Sequence, residues 1–178
     1  MDKDIAEFCV NYLRDKGAEY SEARLEESKV KGFAIKNGIP QASAFDTILG
    51  VGIRFIINET MGFLSTNELE KNRLKDAIDK AIKNTRAAVK IKDPISFSEE
   101  KAYVDKYEVK QKINLDNIGL NEKLDLFSDA DKEIKKIKGI KVLGTLFSYS
   151  EEIINEYYVN SDGSKIENII PKPGFYYF

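Results

Sequence analysis

The sequence predicts an α+β fold, with antiparallel or mixed sheets and helices packed on one side. Three observations predict it. Apolar residues recur at helical spacing in three separated segments. Between them, apolar and polar residues alternate with the period of two expected of half-buried strands. Turn dipeptides built from Asn, Asp and Gly punctuate the alternating runs.

The first helix is read over Asp2 to Lys16, where Ile5, Phe8, Cys9, Tyr12 and Leu13 share a face and Gly17 ends it. Glu19 to Glu27 and Val30 to Lys36 read as two strands, the second ended by Asn37-Gly38. Residues 39–49, with Pro40 and small polar side chains, read as a connection. In the stretch from Gly50 to Leu69, Val51, Ile53, Phe55 and Ile57 alternate with Gly52, Arg54 and Ile56. Asn58-Glu59-Thr60 makes a turn, and Met61, Phe63 and Leu64 return along the first strand. Thr66 or Asn67 caps a helix running to about Ala88, with Glu70 completing a capping box. Its inner face is Leu74, Ala77, Ile78, Ala81 and Ile82.

Asp93-Pro94 breaks the chain and suggests two lobes, 1–92 and 93–178. In the second, Tyr103 to Ile113 is extended, and Leu120 to Lys138 is helical with Leu124, Phe127, Ile134 and Ile137 inward. Three strands follow over 140–149, 152–159 and 164–170, the last two joined by Ser161-Asp162-Gly163. Helix, strand and strand thus occur twice. Leu13 to Asn37 spans 24 positions and Ile137 to Asn160 spans 23, which suggests an internal duplication. Pro171 and Pro173 end the last strand, and Phe175, Tyr176, Tyr177 and Phe178 form an aromatic tail expected at an interface.

Composition narrows the chemistry. There is no histidine and one cysteine. That excludes a histidine general base, a Ser-His triad, and zinc sites of histidine or multiple cysteines. Net charge is −2 without a basic block, which argues against a nucleic-acid surface. No apolar run approaches the roughly 20 residues that span a bilayer, and the N-terminus lacks the pattern of a secretion leader. The expected location is the cytoplasm, where a lone thiol stays reduced. Arg24, Glu26 and Arg54 are candidates to share one groove and hold a peptide, or to form cross-strand ion pairs. Asp125, Asp129, Asp131 and Glu133 lack the glycine of a calcium loop and read as a solvated helix start.

Three motifs carry a resemblance. The first is the central stretch, with Gly50, Gly52, Ile53, Arg54, Gly62, Phe63, Leu64, Ser65, Thr66 and Asn67. The second is Ala18, Glu19, Ala23, Arg24, Glu26, Asn37 and Gly38, and the third Asn160, Ser161, Asp162 and Gly163. In this order they resemble the N-terminal part of the TldD/PmbA family. That resemblance implies a helix-and-sheet region followed by a C-terminal half with an H-E-x-x-x-H zinc site. It links that half to peptidase activity on peptide antibiotics and antitoxins, and the family also carries the label of DNA gyrase modulator. No H-E-x-x-x-H segment occurs in these 178 residues. The expectation is therefore a non-catalytic N-terminal domain without metal or cofactor, zinc belonging to the C-terminal half. Its roles would be docking, dimerisation and shaping a substrate chamber. Its partners would be protein or peptide: a second copy or the catalytic half. The alternative is a stand-alone adaptor or regulator.

Overall fold

The computed structural model describes all residues except 89–93, 99 and 140, and the side chain of Ala42. The Asp93 side of the expected chain break and the first residue of the strand expected over 140–149 therefore lie outside the described residues. The elements in order are α1 (Asp4–Asp15), β1 (Tyr20–Lys36), β2 (Ile39–Ile57), β3 (Thr60–Thr66), α2 (Lys71–Ala88), β4 (Val104–Glu108), a 3-10 turn (Leu115–Asn117), α3 (Leu120–Lys135), β5 (Leu146–Asn160) and β6 (Lys165–Tyr177). The six strands form one mixed sheet in the order β3-β2-β1-β5-β6-β4. The fold is α+β. The order is symmetric for the repeated pattern: α1 leads into β1 and β2, α3 into β5 and β6, and β1 lies beside β5. No helix among the described residues is long and apolar enough to cross a membrane.

Residue contacts group the chain into two compact units, each drawing on both sides of residue 92. The first comprises Met1–Glu27, Ile48–Glu108 and Asn155–Ile169. The second comprises Ser28–Thr47, Val109–Ile154 and Ile170–Phe178.

In the first unit, the inward residues of the strands meet two helices. Ala23 and Leu25 of β1, Val51, Ile53, Phe55 and Ile57 of β2, and Tyr157 and Val159 of β5 form one face. Ile5, Ala6, Cys9, Val10 and Leu13 of α1 and Leu74, Ile78 and Ile82 of α2 close over it. Each fully buried Leu, Ile or Phe contributes about 1.5–3 kcal/mol by leaving water. β2 and β3 pair antiparallel from Val51↔Thr66 to Ile57↔Thr60. The turn between them is Asn58 (φ 49°) and Glu59 (φ 57°), two left-handed residues without glycine. β4 pairs parallel with β6, from Val104↔Lys165 to Glu108↔Ile169.

The second unit has a smaller core. Phe33, Ile35 and Phe147 are buried, with Leu124, Phe127, Ala130 and Ile134 of α3 and Tyr149 against them. Asp131 on α3 is buried beside Lys135 at 2.5 Å, so the acidic run read as a solvated helix start lies within the helix and is not uniformly solvated.

Several boundaries differ from those read in the sequence. Glu19–Glu27 and Val30–Lys36 are one strand, because the polar run between them finds cross-strand partners: Asn155 Nδ2 lies 3.4 Å from Glu27, and Ser28 Oγ donates to Glu152 at 2.5 Å. Residues 39–49 belong to β2. On its β3 side Pro40 has no ladder partner, since β3 pairs only from Val51 onward, and an unpaired edge tolerates proline. Likewise β6 continues through Pro171 and Pro173, since β4 pairs only as far as Ile169. The strands expected over 140–149 and 152–159 merge into β5. Helix α2 starts at Lys71, not Asn67: Leu74 N donates to Glu70 O, while Thr66 Oγ1 accepts from Glu68 N in a local turn. The capping box at Asn67 and Glu70 is therefore not formed. Helix α3 ends at Lys135, which leaves Ile137 half exposed instead of inward.

Candidate functional site

Alternation leaves the second face of the first unit's sheet without a helix. Glu22, Arg24 and Glu26 of β1, Gly50, Gly52 and Arg54 of β2, and Phe63 and Ser65 of β3 line it. With Thr66 and Asn67 they bound an open groove of about 700 Å³. The structure thus brings together Gly50, Gly52, Arg54, Ser65, Thr66 and Asn67 of the central motif, with Arg24 and Glu26 beside them.

The remaining motif residues serve the scaffold. Gly62 lies on the helix-covered face, where a Cβ would stand 2.3 Å from the Phe55 ring and 2.4 Å from Thr85 Oγ1. Asn37 and Gly38 form the left-handed turn between β1 and β2, and Asn37 Oδ1 accepts from Thr145 N at 2.8 Å. Asn160 Oδ1 accepts from Ser164 N at 2.8 Å and Gly163 takes φ 100°, closing the turn between β5 and β6. The tail is part of β6. Phe178 and Leu146 exchange backbone hydrogen bonds at 2.8 and 2.9 Å, and the Tyr177 ring sits 4.4 Å from that of Phe147. Phe175, Tyr176 and Phe178 nevertheless stay mostly exposed.

The groove's charges are paired. Arg54 Nη2 lies 2.7 Å from Glu22 Oε1, and Arg24 Nε lies 3.3 Å from Glu156 Oε2. Glu22 Oε2 also accepts from Tyr20 at 2.5 Å and Tyr158 at 3.0 Å. Burial pushes the Glu22 carboxyl up, but the hydrogen bonds from Arg54, Tyr20 and Tyr158 outweigh it and hold the group below the usual carboxylate range. Burial, followed by the Glu22 contact, pushes the Tyr20 hydroxyl well above its ordinary value, so it stays protonated. At one end of the face, Phe97 packs edge-on against Tyr20 at 4.9 Å and lies 5.1 Å from the Arg54 guanidinium. Ile95 N donates to Glu59 O, and Ile95 and Phe97 line a surface pocket with Ile56. That crossing accounts for Ile56 being buried on the otherwise open face.

Sequence reasoning missed Glu22 as the partner of Arg54, although its period-two relation to Arg24 placed it on the same face. Glu156, Tyr158 and Phe97 carried no such signal, because their arrival depends on strand order and on a chain crossing.

Paired charges, protonated tyrosines, an exposed phenylalanine and a glycine-lined floor can hold a chain or a surface. They supply no activated nucleophile and no general base. Nor do the residues fit a zinc site. The sequence has no histidine, burial pushes the lone Cys9 thiol up to about 12, and no cluster of three or more metal-ligating side chains occurs among the described residues. Fold and site together define an α+β region with an open sheet face.

Comparison with known proteins places this domain. Residues 21–87 match the model of PmbA/TldA metallopeptidase domain 1, and residues 113–177 that of the PmbA/TldA metallopeptidase central domain. The chain belongs to the PmbA/TldD family. It is 26% identical over 157 residues to a metalloprotease of Methanocaldococcus jannaschii, a match covering 86% of this chain and 34% of that protein. The chain thus spans about a third of the length of this curated relative. Among solved structures, it is similar to proteins described as modulators of DNA gyrase from Bacteroides thetaiotaomicron and Thermotoga maritima. The TM-score is 0.69 for both, with 17% and 16% identity. Each match covers 98% of this chain, with 39% and 42% of those chains respectively. TldE from Thermococcus kodakarensis matches with TM-score 0.58 and 20% identity, over 98% of this chain and 37% of that one.

Proposed function

We propose that this chain is the non-catalytic N-terminal region of a PmbA/TldD-type metalloprotease, working in the cytoplasm. It docks protein or peptide, and it shapes the approach to a zinc chamber built by the C-terminal half. The exposed aromatics of the tail, Phe175 to Phe178, face that half or a second copy. No metal or cofactor is held by this chain. The observation that carries this reading is the open sheet face on which the family-motif residues Gly50, Gly52, Arg54 and Ser65 converge, in a sequence with no histidine. A glycine floor lets an extended segment lie close to the sheet face, and the flanking charged side chains can contact it without committing to its sequence.

The reading frame that follows Phe178 supplies the test. Expressed with that downstream region, the protein should bind zinc and cleave an unfolded peptide, whereas the 178-residue chain alone should do neither. The double substitution Arg24→Glu and Arg54→Glu should then raise KM while leaving zinc content unchanged. A downstream region with no zinc ligands, or cleavage insensitive to the groove, would overturn the proposal. Capture of an intact partner by the 178-residue chain, without proteolysis, would favour the adaptor reading.

A further inference from the structure

We propose that a cavity in the second unit binds a free apolar amino acid in its zwitterionic form. The cavity lies between β1, β5 and the start of α3 and measures about 230 Å³. That is room for about seven waters, the scale of leucine. Phe33, Phe45, Ile118 and Leu120 supply apolar wall.

Its polar side contains two charged groups more than nine-tenths buried, Lys123 and Glu151. Lys123 Nζ donates to Glu151 Oε2 at 2.5 Å and to Leu115 O at 2.8 Å. The Tyr149 hydroxyl donates to the same Oε2 at 2.8 Å. Glu151 Oε1 is left with Lys31 Nζ at 3.9 Å, too far for a hydrogen bond, and no other hydrogen bond reaches it among the described residues. That oxygen faces a residue-lined cavity and can accept a hydrogen bond from a ligand there.

Lys31 is held by Asp116 at 2.6 Å. Lys31, Lys123, Asp116 and Glu151 sum to zero charge. An ion of either sign gains little there, but a dipolar ligand finds both complements. Its ammonium fits Glu151 Oε1. Its carboxylate fits Lys31 and the free N–H groups at the start of α3, whose N-cap Gly119 brings no side-chain cap. Its apolar side chain fills the wall.

The test is an amide-resonance titration of the full chain with L-leucine. Saturable shifts are expected at Gly32, Gly119, Tyr149 and Glu151. N-acetyl-leucine amide, which lacks both charges, should cause none. Lys31→Met, at a partly exposed position that the fold tolerates, should weaken binding about tenfold, the loss of one charged hydrogen bond. Glu151→Gln should abolish it. Absence of saturation with leucine, equal shifts with the uncharged amide, or unchanged affinity in Lys31→Met would each overturn the proposal. Because the groove of the first unit plays no part, this outcome is independent of the protease reading.

Discussion

Glu22 and Arg54 meet at 2.7 Å on the open face of the first unit, one from β1 and one from β2. The pair is half of a network, for the other oxygen of Glu22 gathers two tyrosine hydroxyls. An ion pair on a sheet face is ordinarily worth little. Here the carboxylate is mostly buried while the guanidinium stays partly in water, so the carboxylate depends on all three donors.

That dependence gives a pH signature. The folded Glu22 titrates below its unfolded value of 4.5. Its contribution is therefore complete above that value and is lost as pH falls through the folded one. Glu22→Gln should cost about 1 kcal/mol near neutral pH. It should also flatten the acid limb of the stability curve, read by urea unfolding at a series of pH values. An unchanged acid limb would mean the network contributes nothing.

Gly62→Ala should destabilise by about 1–3 kcal/mol, the usual cost of overpacking. The added methyl meets the Phe55 ring and Thr85 Oγ1, both buried, the latter on α2 itself. Gly52→Ala, whose Cβ would reach the Phe63 ring at an ordinary 3.9 Å, should cost much less. Paired denaturation curves decide it.

Cys9 should resist thiol reagents in the native protein. Its side chain is fully buried, and the low dielectric pushes its thiol up to about 12. Labelling by a maleimide should therefore follow unfolding, with the rate tracking denaturant. Rapid labelling without denaturant would show that α1 opens locally.

Deletion of residues 174–178 should lower the melting temperature. It removes the Tyr177–Phe147 and Phe175–Phe127 ring contacts and the backbone pairing of Phe178 with Leu146. A simultaneous loss of self-association in light scattering would support the tail as an interface. Unchanged association with a falling melting temperature would confine the tail to its own unit.

Much of this fold was legible. The alternation of Val51, Ile53, Phe55 and Ile57 gave β2 its buried face, and Leu74, Ile78 and Ile82 gave α2 its stripe. Turn chemistry at Asn37-Gly38 and Ser161-Asp162-Gly163 placed two hairpin corners. What failed were strand ends. Pro40, Pro171 and Pro173 read as breaks, because sequence does not reveal which strand edge lacks a neighbour. The Ser28-Lys29 step read as a gap, because Glu152, which pairs with Ser28, lies more than a hundred residues away. For the candidate site, glycine spacing and Arg24, Glu26 and Arg54 were readable. Glu156 and Tyr158 were not, since only the neighbouring of β1 and β5 brings them there.

The interleaving of segments has a consequence for synthesis. The first unit's core is unfinished until Tyr157 and Val159 are made, although α1 and β1 leave the ribosome first. Neither unit can close on a nascent chain of half this length. At about 5–20 residues per second, β1, β2 and β3 wait several seconds with apolar faces open and edges unpaired. Premature termination anywhere before β5 should therefore yield an aggregation-prone product instead of a smaller stable domain.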